Sequence, residues 1–182
     1  MKKYITILNI VFCSCGFYSL SGSLPSHIKS IAIPLVNNQT AEFSLSEQMT
    51  ERIVDEFNEA GLLRIVDENI ANSILRASIS KVTDEPYTYN KQESVTEYRY
   101  TIYVKIEWFD VLNEVNLFQK TYSGFGAYGI SGDIASDGID NDNDGKIDSE
   151  DDDEFGEPRT FASGVAIRKI TEDILNDIMT TW

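Results

Sequence analysis

The chain has 182 residues and carries 30 Asp and Glu against 15 Lys and Arg, a formal charge of −15. Twelve of those acids and a single Lys fall between Asp133 and Glu157, a local net of −11; no basic stripe is left to neutralise phosphates, which excludes a nucleic-acid binder. The remainder is rich in Ile, Val, Tyr and Phe, which excludes general disorder.

At the N-terminus, Lys2 and Lys3 precede the apolar run Tyr4 to Phe12, and Cys13-Ser14-Cys15-Gly16 follows. That is the layout of an export signal. The run is shorter than the roughly 20 residues a membrane-spanning helix needs, so residues 1–14 are expected to be removed. Ser14-Cys15-Gly16 resembles the end of a bacterial lipobox, in which a small residue precedes the cysteine that is lipidated and becomes the new N-terminus. Phe12 stands where such boxes usually carry Leu, and Cys13, directly behind that bulky residue, is the poorer acceptor. Cys15 is the expected lipidation site and residues 15–28 a lipidated tether; the alternative is a soluble secreted protein whose two cysteines fall in or near the discarded peptide. The 168 residues that remain fit one domain, expected over 29–182. No cysteine follows Cys15, so packing rather than disulfides must hold the fold.

Lys29 to Val36 reads as a strand, with Pro34 confining it to an edge or a bulge. Asn37 to Thr40 reads as a loop. Ser44 with Glu47 makes a capping-box pattern ahead of Leu45, Met49, Ile53 and Phe57 at four-residue spacing, and Gly61 closes the run. This predicts an amphipathic helix with both ends marked. Leu62 to Val66 reads as a short strand and Ser73 to Val82 as another, ended by Asp84-Glu85-Pro86. Tyr98, Tyr100, Ile102, Val104, Ile106 and Trp108 then alternate with Arg99, Thr101, Tyr103, Lys105, Glu107 and Phe109. Period two predicts a strand with one face buried. Asn113-Glu114 is the expected hairpin tip and Val115 to Tyr122 its antiparallel return. Val165, Ile167, Ile170, Ile174 and Ile178 lie on one helical stripe that runs towards Trp182. Strands gathered between a helix near each end predict an α+β fold, two helices packed on one face of a mostly antiparallel four- to five-stranded sheet.

The acidic insert, 131–158, contains a calcium-loop pattern. Asp140, Asp142 and Asp144 stand at positions 1, 3 and 5, Gly145 at 6, the Lys146 carbonyl at 7, Asp148 at 9 and Asp151 at 12. A hard cation wants six to eight oxygens, alternate carboxylates converge on one centre, and Gly lets the backbone curl around it. Asp151 replaces the usual Glu with a shorter side chain, which weakens calcium or shifts preference towards magnesium. Ile147 at position 8 is placed to tuck into protein. No amphipathic helix precedes Asp140, so the loop lacks an EF-hand partner and looks more like the Asp-rich loops of dockerin or thrombospondin type 3 repeats. A bound Ca2+ or Mg2+ is expected to order an insert that otherwise repels itself; the alternative is a solvated acidic loop with no ion.

No catalytic constellation is visible, so the chain is not expected to be an enzyme. His27 is the only histidine and lies in the expected tether, and no nucleophile can be paired with a base. Tyr87, Tyr89, Tyr98, Tyr100, Tyr103, Trp108, Phe109 and Tyr122 read mostly as core and cross-strand packing. The alternative gives the face that the helices leave uncovered, including Tyr103 and Phe109, to a barrel wall or a lipid.

Cys15-Gly16-Phe17-Tyr18-Ser19-Leu20-Ser21-Gly22, then Ile28 to Pro34, then Asn37-Asn38-Gln39-Thr40 before a helix, and Asp173 to Ile178 before Trp182, together resemble the LptE family of lipopolysaccharide-assembly lipoproteins, in its Bacteroidota-like form. The resemblance implies a lipid-anchored outer-membrane protein facing the periplasm. There it sits as a plug inside the LptD β-barrel, assists barrel assembly and serves lipopolysaccharide transport to the outer leaflet, with the glycolipid itself as a further ligand. Gly16 rather than Asp after the cysteine implies transfer to the outer membrane. No glycolipid-contacting residues carry over, and nothing in the sequence separates Arg64, Arg76, Arg99 and Lys105 from ordinary surface charges. Ile31 to Thr40 before a helix is also similar to periplasmic lipoproteins that activate cell-wall synthases and to those of the curli-secretion type. The terminal helix ending in Trp favours LptE. A stand-alone calcium-binding surface lipoprotein is the remaining alternative.

Overall fold

The computed structural model describes residues 24–130, 134–136, 138, 140, 144–147, 150 and 156–180. The expected signal segment, Cys15 and Trp182 lie outside them. The elements are β1 (Ser30–Ala32), β2 (Asn37–Asn38), α1 (Leu45–Ala60), β3 (Arg64–Ile65), β4 (Ser73–Tyr89), β5 (Val95–Asp110), β6 (Val115–Gly129) and α2 (Pro158–Thr180), with 3-10 turns at Glu68–Ile70 and Ile134–Ser136. The sheet runs β3-β1-β4-β5-β6, with β2 also on β4. β4, β5 and β6 are antiparallel, whereas β1 and β2 run parallel to β4 and β3 parallel to β1. The α+β reading holds, and among the described residues the sheet has six strands rather than four or five, the additional one being the two-residue β2.

Several boundaries differ from the sequence reading for identifiable reasons. The expected strand Lys29 to Val36 is interrupted, and Asn37–Asn38, expected as loop, is the strand β2. Ala32 pairs with Ile74 and Asn37 with Ser78, so five residues of this edge span four of β4. Residues 33–36 between the two strands pair with no neighbouring strand, and Pro34 among them has no N–H to give a ladder. β4 continues through Pro86 to Tyr89 instead of ending at Val82. Beyond Ile79 its outer edge carries no strand among the described residues, and register shifts around Thr88 absorb the proline. β6 likewise runs past Tyr122 to Gly129.

Leu45, Met49, Ile53 and Phe57 are the buried stripe of α1. Gly61 ends the helix at φ 60°, its N–H donating to the Phe57 carbonyl at 3.2 Å, a left-handed turn that glycine adopts without strain. The capping box does not form. Ser44 already has helical φ and ψ (−75° and −16°), and its hydroxyl makes no cap bond; a working N-cap needs extended backbone to aim the side chain at the free N–H groups. Ser44→Ala is therefore expected to change unfolding free energy by less than about 0.5 kcal/mol, against about 1 kcal/mol for a true cap, as read by urea denaturation.

The helices cover one face of the sheet. Tyr100, Ile102, Val104, Ile106 and Trp108 are at most 1 % exposed and form a single core with the α1 stripe and Ile170, Ile174 and Ile178 of α2. Tyr122 joins this core, and its hydroxyl donates to Asp177 at 2.6 Å. The end of the expected tether is folded as well. Pro25 to Ile28 makes a turn, Leu24 packs on the core and Ile28 is buried.

Candidate functional site

The other face of the sheet has no helix on it among the described residues. Arg99, Thr101, Tyr103, Lys105, Glu107 and Phe109 of β5 point there by strand alternation, and β4 and β6 add neighbours in register: Glu85 and Ala127 beside Arg99, Thr83 and Phe125 beside Thr101, Lys81 and Ser123 beside Tyr103. Cations lie over rings along this face. The Arg76 guanidinium is 5.7 Å from the Phe109 ring centre, and the Lys81 ammonium 5.5 Å from that of Tyr103. Arg99 is held between Tyr87, at 3.7 Å, and Phe125, at 4.2 Å. Each ring's quadrupole attracts the charge above it, and a planar guanidinium stacks where an ammonium cannot. Arg99 Nε is buried there without a hydrogen-bond partner.

The aromatic set thus splits. Tyr100, Trp108 and Tyr122 are core, Tyr98 stacks on Tyr128 at 5.7 Å, Tyr103 and Phe109 are half-buried on the open face, and Tyr87 and Tyr89 are exposed on the β4–β5 hairpin. Among the four basic residues that sequence could not separate, Arg76 and Arg99 are stacked, Arg76 also meets Glu68 at 3.1 Å, and Lys105 pairs with Glu107 at 2.8 Å. Arg64 sits in β3 at the edge of the sheet.

Where the acidic insert joins the domain, Arg159 ties three segments together. Its Nε donates to Asp84 at 2.8 Å and its terminal nitrogens to Glu42 at 2.6 and 3.3 Å, with the Tyr100 ring 4.8 Å away. Hydrogen bonds to Glu42 and Asp84 hold the guanidinium even more firmly protonated than usual. Tyr128 donates to the other Asp84 oxygen at 2.8 Å, and burial followed by this bond pushes the phenol upward. The start of α2 is thereby fixed to β4 and to the loop before α1.

Of the residues in the calcium-loop pattern, Asp140, Asp144 and Lys146 are described; Asp142, Asp148 and Asp151 lie outside the described residues. Asp140 accepts the N–H groups of Asp144 and Gly145, both at 3.0 Å, and Gly145 turns at φ 99°. Asp144 accepts the Lys146 N–H at 2.8 Å and faces its ammonium at 3.1 Å. These bonds hold the Asp144 carboxyl below the usual range. Ile147, expected to tuck in, is 43 % exposed. Among the described residues no three His, Cys, Asp or Glu converge as a metal site.

At the opposite end of the sheet Asp110 is fully buried and accepts from His27 Nε2 at 2.7 Å, Asn113 Nδ2 at 2.8 Å, and the backbone N–H groups of Leu112 and Asn113 at 3.0 and 3.2 Å. Burial opposes ionisation, and the bonds from Asn113, His27 and Leu112 overcome it, holding the carboxyl below its ordinary value. This clasp fastens the chain arriving from the N-terminus to the β5–β6 turn. Between α1 and α2 a groove of about 480 Å3 is lined by Gln48, Arg52, Asp55, Phe161, Val165 and Arg168.

The arrangement offers recognition chemistry. Rings, stacked cations and hydroxyls line a broad sheet face, and the one histidine is engaged by a buried carboxylate. No helix among the described residues is long and apolar enough to cross a membrane.

Solved structures share the fold at low identity. A protein from Xanthomonas campestris has a TM-score of 0.57 at 9 % identity, covering 88 % of this chain and 89 % of its own. A hypothetical protein from Chlamydia trachomatis gives 0.53 at 14 %, covering 83 % and 95 %, and the rare lipoprotein B from Shewanella oneidensis 0.50 at 11 %, covering 84 % and 96 %. No curated protein matches the chain. The model of the LptE family, described as lipopolysaccharide-assembly, matches residues 28–182. That match takes in every element from β1 to α2, and the chain belongs to the LptE family.

Proposed function

We propose that this protein is the non-enzymatic LptE-type partner of an LptD-like outer-membrane β-barrel. It is anchored by lipid on Cys15, faces the periplasm, and acts as plug and assembly partner during lipopolysaccharide transport to the outer leaflet. The observation that carries this reading is the family match over 28–182, on a domain whose sheet has, among the described residues, one face without a helix. A plug needs a surface to set against the barrel interior, and the ring-and-cation face from Arg76 to Arg99 supplies one. Depleting the protein in its own cell tests the role. Lipopolysaccharide should fall at the cell surface and accumulate behind the outer membrane, with loss of properly folded barrel; unchanged surface lipopolysaccharide would overturn it.

The insert is assigned to bind one Ca2+ or Mg2+ through Asp140, Asp142, Asp144, the Lys146 carbonyl, Asp148 and Asp151. The turn at Gly145 and the inward carboxylate of Asp140 support this chemistry. Calcium titrated into the purified chain should release heat, raise the melting temperature and slow hydrogen exchange over residues 137–155. Absence of all three signals would refute the assignment.

A further inference from the structure

We propose that the end of the sheet at which the tether arrives is a lipid-contacting surface, with Ile70, Val111, Leu112 and Val115 entering the headgroup and acyl boundary of a bilayer. Ile70 and Leu112 are each 70 % exposed, Val115 50 % and Val111 38 %. The register gathers them. Ser73 and Val115 both pair with Asp110, the Val111 N–H donates to the Asn72 carbonyl at 3.0 Å, and Ile70 stands two residues before Asn72. Single exposed apolar residues are ordinary on a protein surface, but a group of them at one tip marks a contact.

The occupant follows from where the chain goes. Through the turn at Pro25 to Ile28 and the bond from His27 to Asp110, the N-terminal segment joins the domain at this same tip. Leu24 lies only nine positions after Cys15, a reach of at most about 30 Å. β5 runs about 50 Å from Val95 to Asp110, so the exposed Tyr89 at the other end of the sheet is carried far from the anchor. The charged neighbours of the tip are exposed Asp67, Glu68 and Glu114, with Arg76 on Glu68 and Lys29 nearby. Such a rim does not draw the tip to anionic lipid, so contact comes from apolar insertion among neutral headgroups. The proposal rests on lipidation of Cys15 as set out under the proposed function, and it fixes the orientation of the domain: the β5–β6 turn faces the anchoring leaflet and the β4–β5 hairpin points away.

The test uses the lipidated full chain carrying Leu112→Cys, whose thiol is then the free one because the Cys15 sulfur is acylated, labelled with bimane and reconstituted in phosphatidylcholine vesicles. Brominated phosphatidylcholine should quench the label about twofold and its emission should shift to the blue, while the same label at Tyr89→Cys stays unquenched. Both positions are exposed, so neither substitution disturbs the core. Flotation without quenching at Leu112, or equal quenching at both positions, overturns the proposal and leaves the lipoprotein reading standing. Failure to float with vesicles overturns the lipoprotein reading and the proposal with it.

Discussion

Gly126→Ala is expected to lower the unfolding free energy by about 3 kcal/mol, and the melting temperature by roughly 6–12 °C for a domain of this size. A methyl group at Gly126 would stand 2.3 Å from the Ala162 carbonyl oxygen and 2.6 Å from its Cα. At Gly124 it would meet the Ala166 carbonyl oxygen at 2.3 Å and Ile170 Cγ1 at 2.8 Å. The obstructing atoms are mostly helix backbone, which cannot rotate aside as a side chain can. α2 would have to rise from β6, opening the core around Ile170 and Ile174, both fully buried. Gly164 lies within α2 itself, and a methyl group added there would have nothing within 4 Å. Gly164→Ala should therefore be neutral or stabilising by up to about 1 kcal/mol. Thermal and urea denaturation of the two variants side by side separates close approach from a general intolerance of change; equal melting temperatures would refute the packing described for α2.

Asp110→Ala is expected to destabilise the domain by about 2 kcal/mol, because it strips four part-buried donors of their shared, buried acceptor. The effect has a sign in pH. The folded carboxyl titrates below its unfolded value, so its stabilisation is fully present above the unfolded value near pH 4 and is lost as pH falls through the folded one. The gap in unfolding free energy between the native chain and Asp110→Ala should accordingly narrow below about pH 4. A gap that widened on acidification would contradict the clasp. Exchange of the amides of Leu112 and Asn113, both bonded to Asp110, should also quicken in the variant.

What could be read from sequence was what repeats. The four-residue spacing from Leu45 to Phe57 and the alternation from Tyr98 to Trp108 are burial patterns imposed by helix and strand geometry, and both faces lie where the period puts them. Features that depend on conformation at one residue were less legible. Ser44 has the chemistry of a cap but not the backbone, and Pro86 would stop a central strand but not one with a free outer edge. The close approach at Gly124 and Gly126 had a signal: two glycines at strand spacing opposite Ala162 and Ala166 at helical spacing. The site was harder still. Arg99 finds Tyr87 and Phe125 only through the register of three strands, Arg159 reaches Glu42 across 117 residues, and His27 meets Asp110 across 83. No local pattern encodes such meetings; each results from the assembled sheet. The family resemblance rested on short segments spread along the chain, from Ile28 to Pro34 and Asn37 to Thr40 near the start to Asp173 to Ile178 near the end, and the family match spans the same stretch, residues 28–182.

Partnership with an outer-membrane barrel can be read from a tagged pull-down from detergent-solubilised outer membranes. A large β-barrel of the lipopolysaccharide-export type should co-purify with the protein, in a complex that survives gel filtration. Recovery of a cell-wall synthase instead, or of the protein with no barrel, would contradict the partnership.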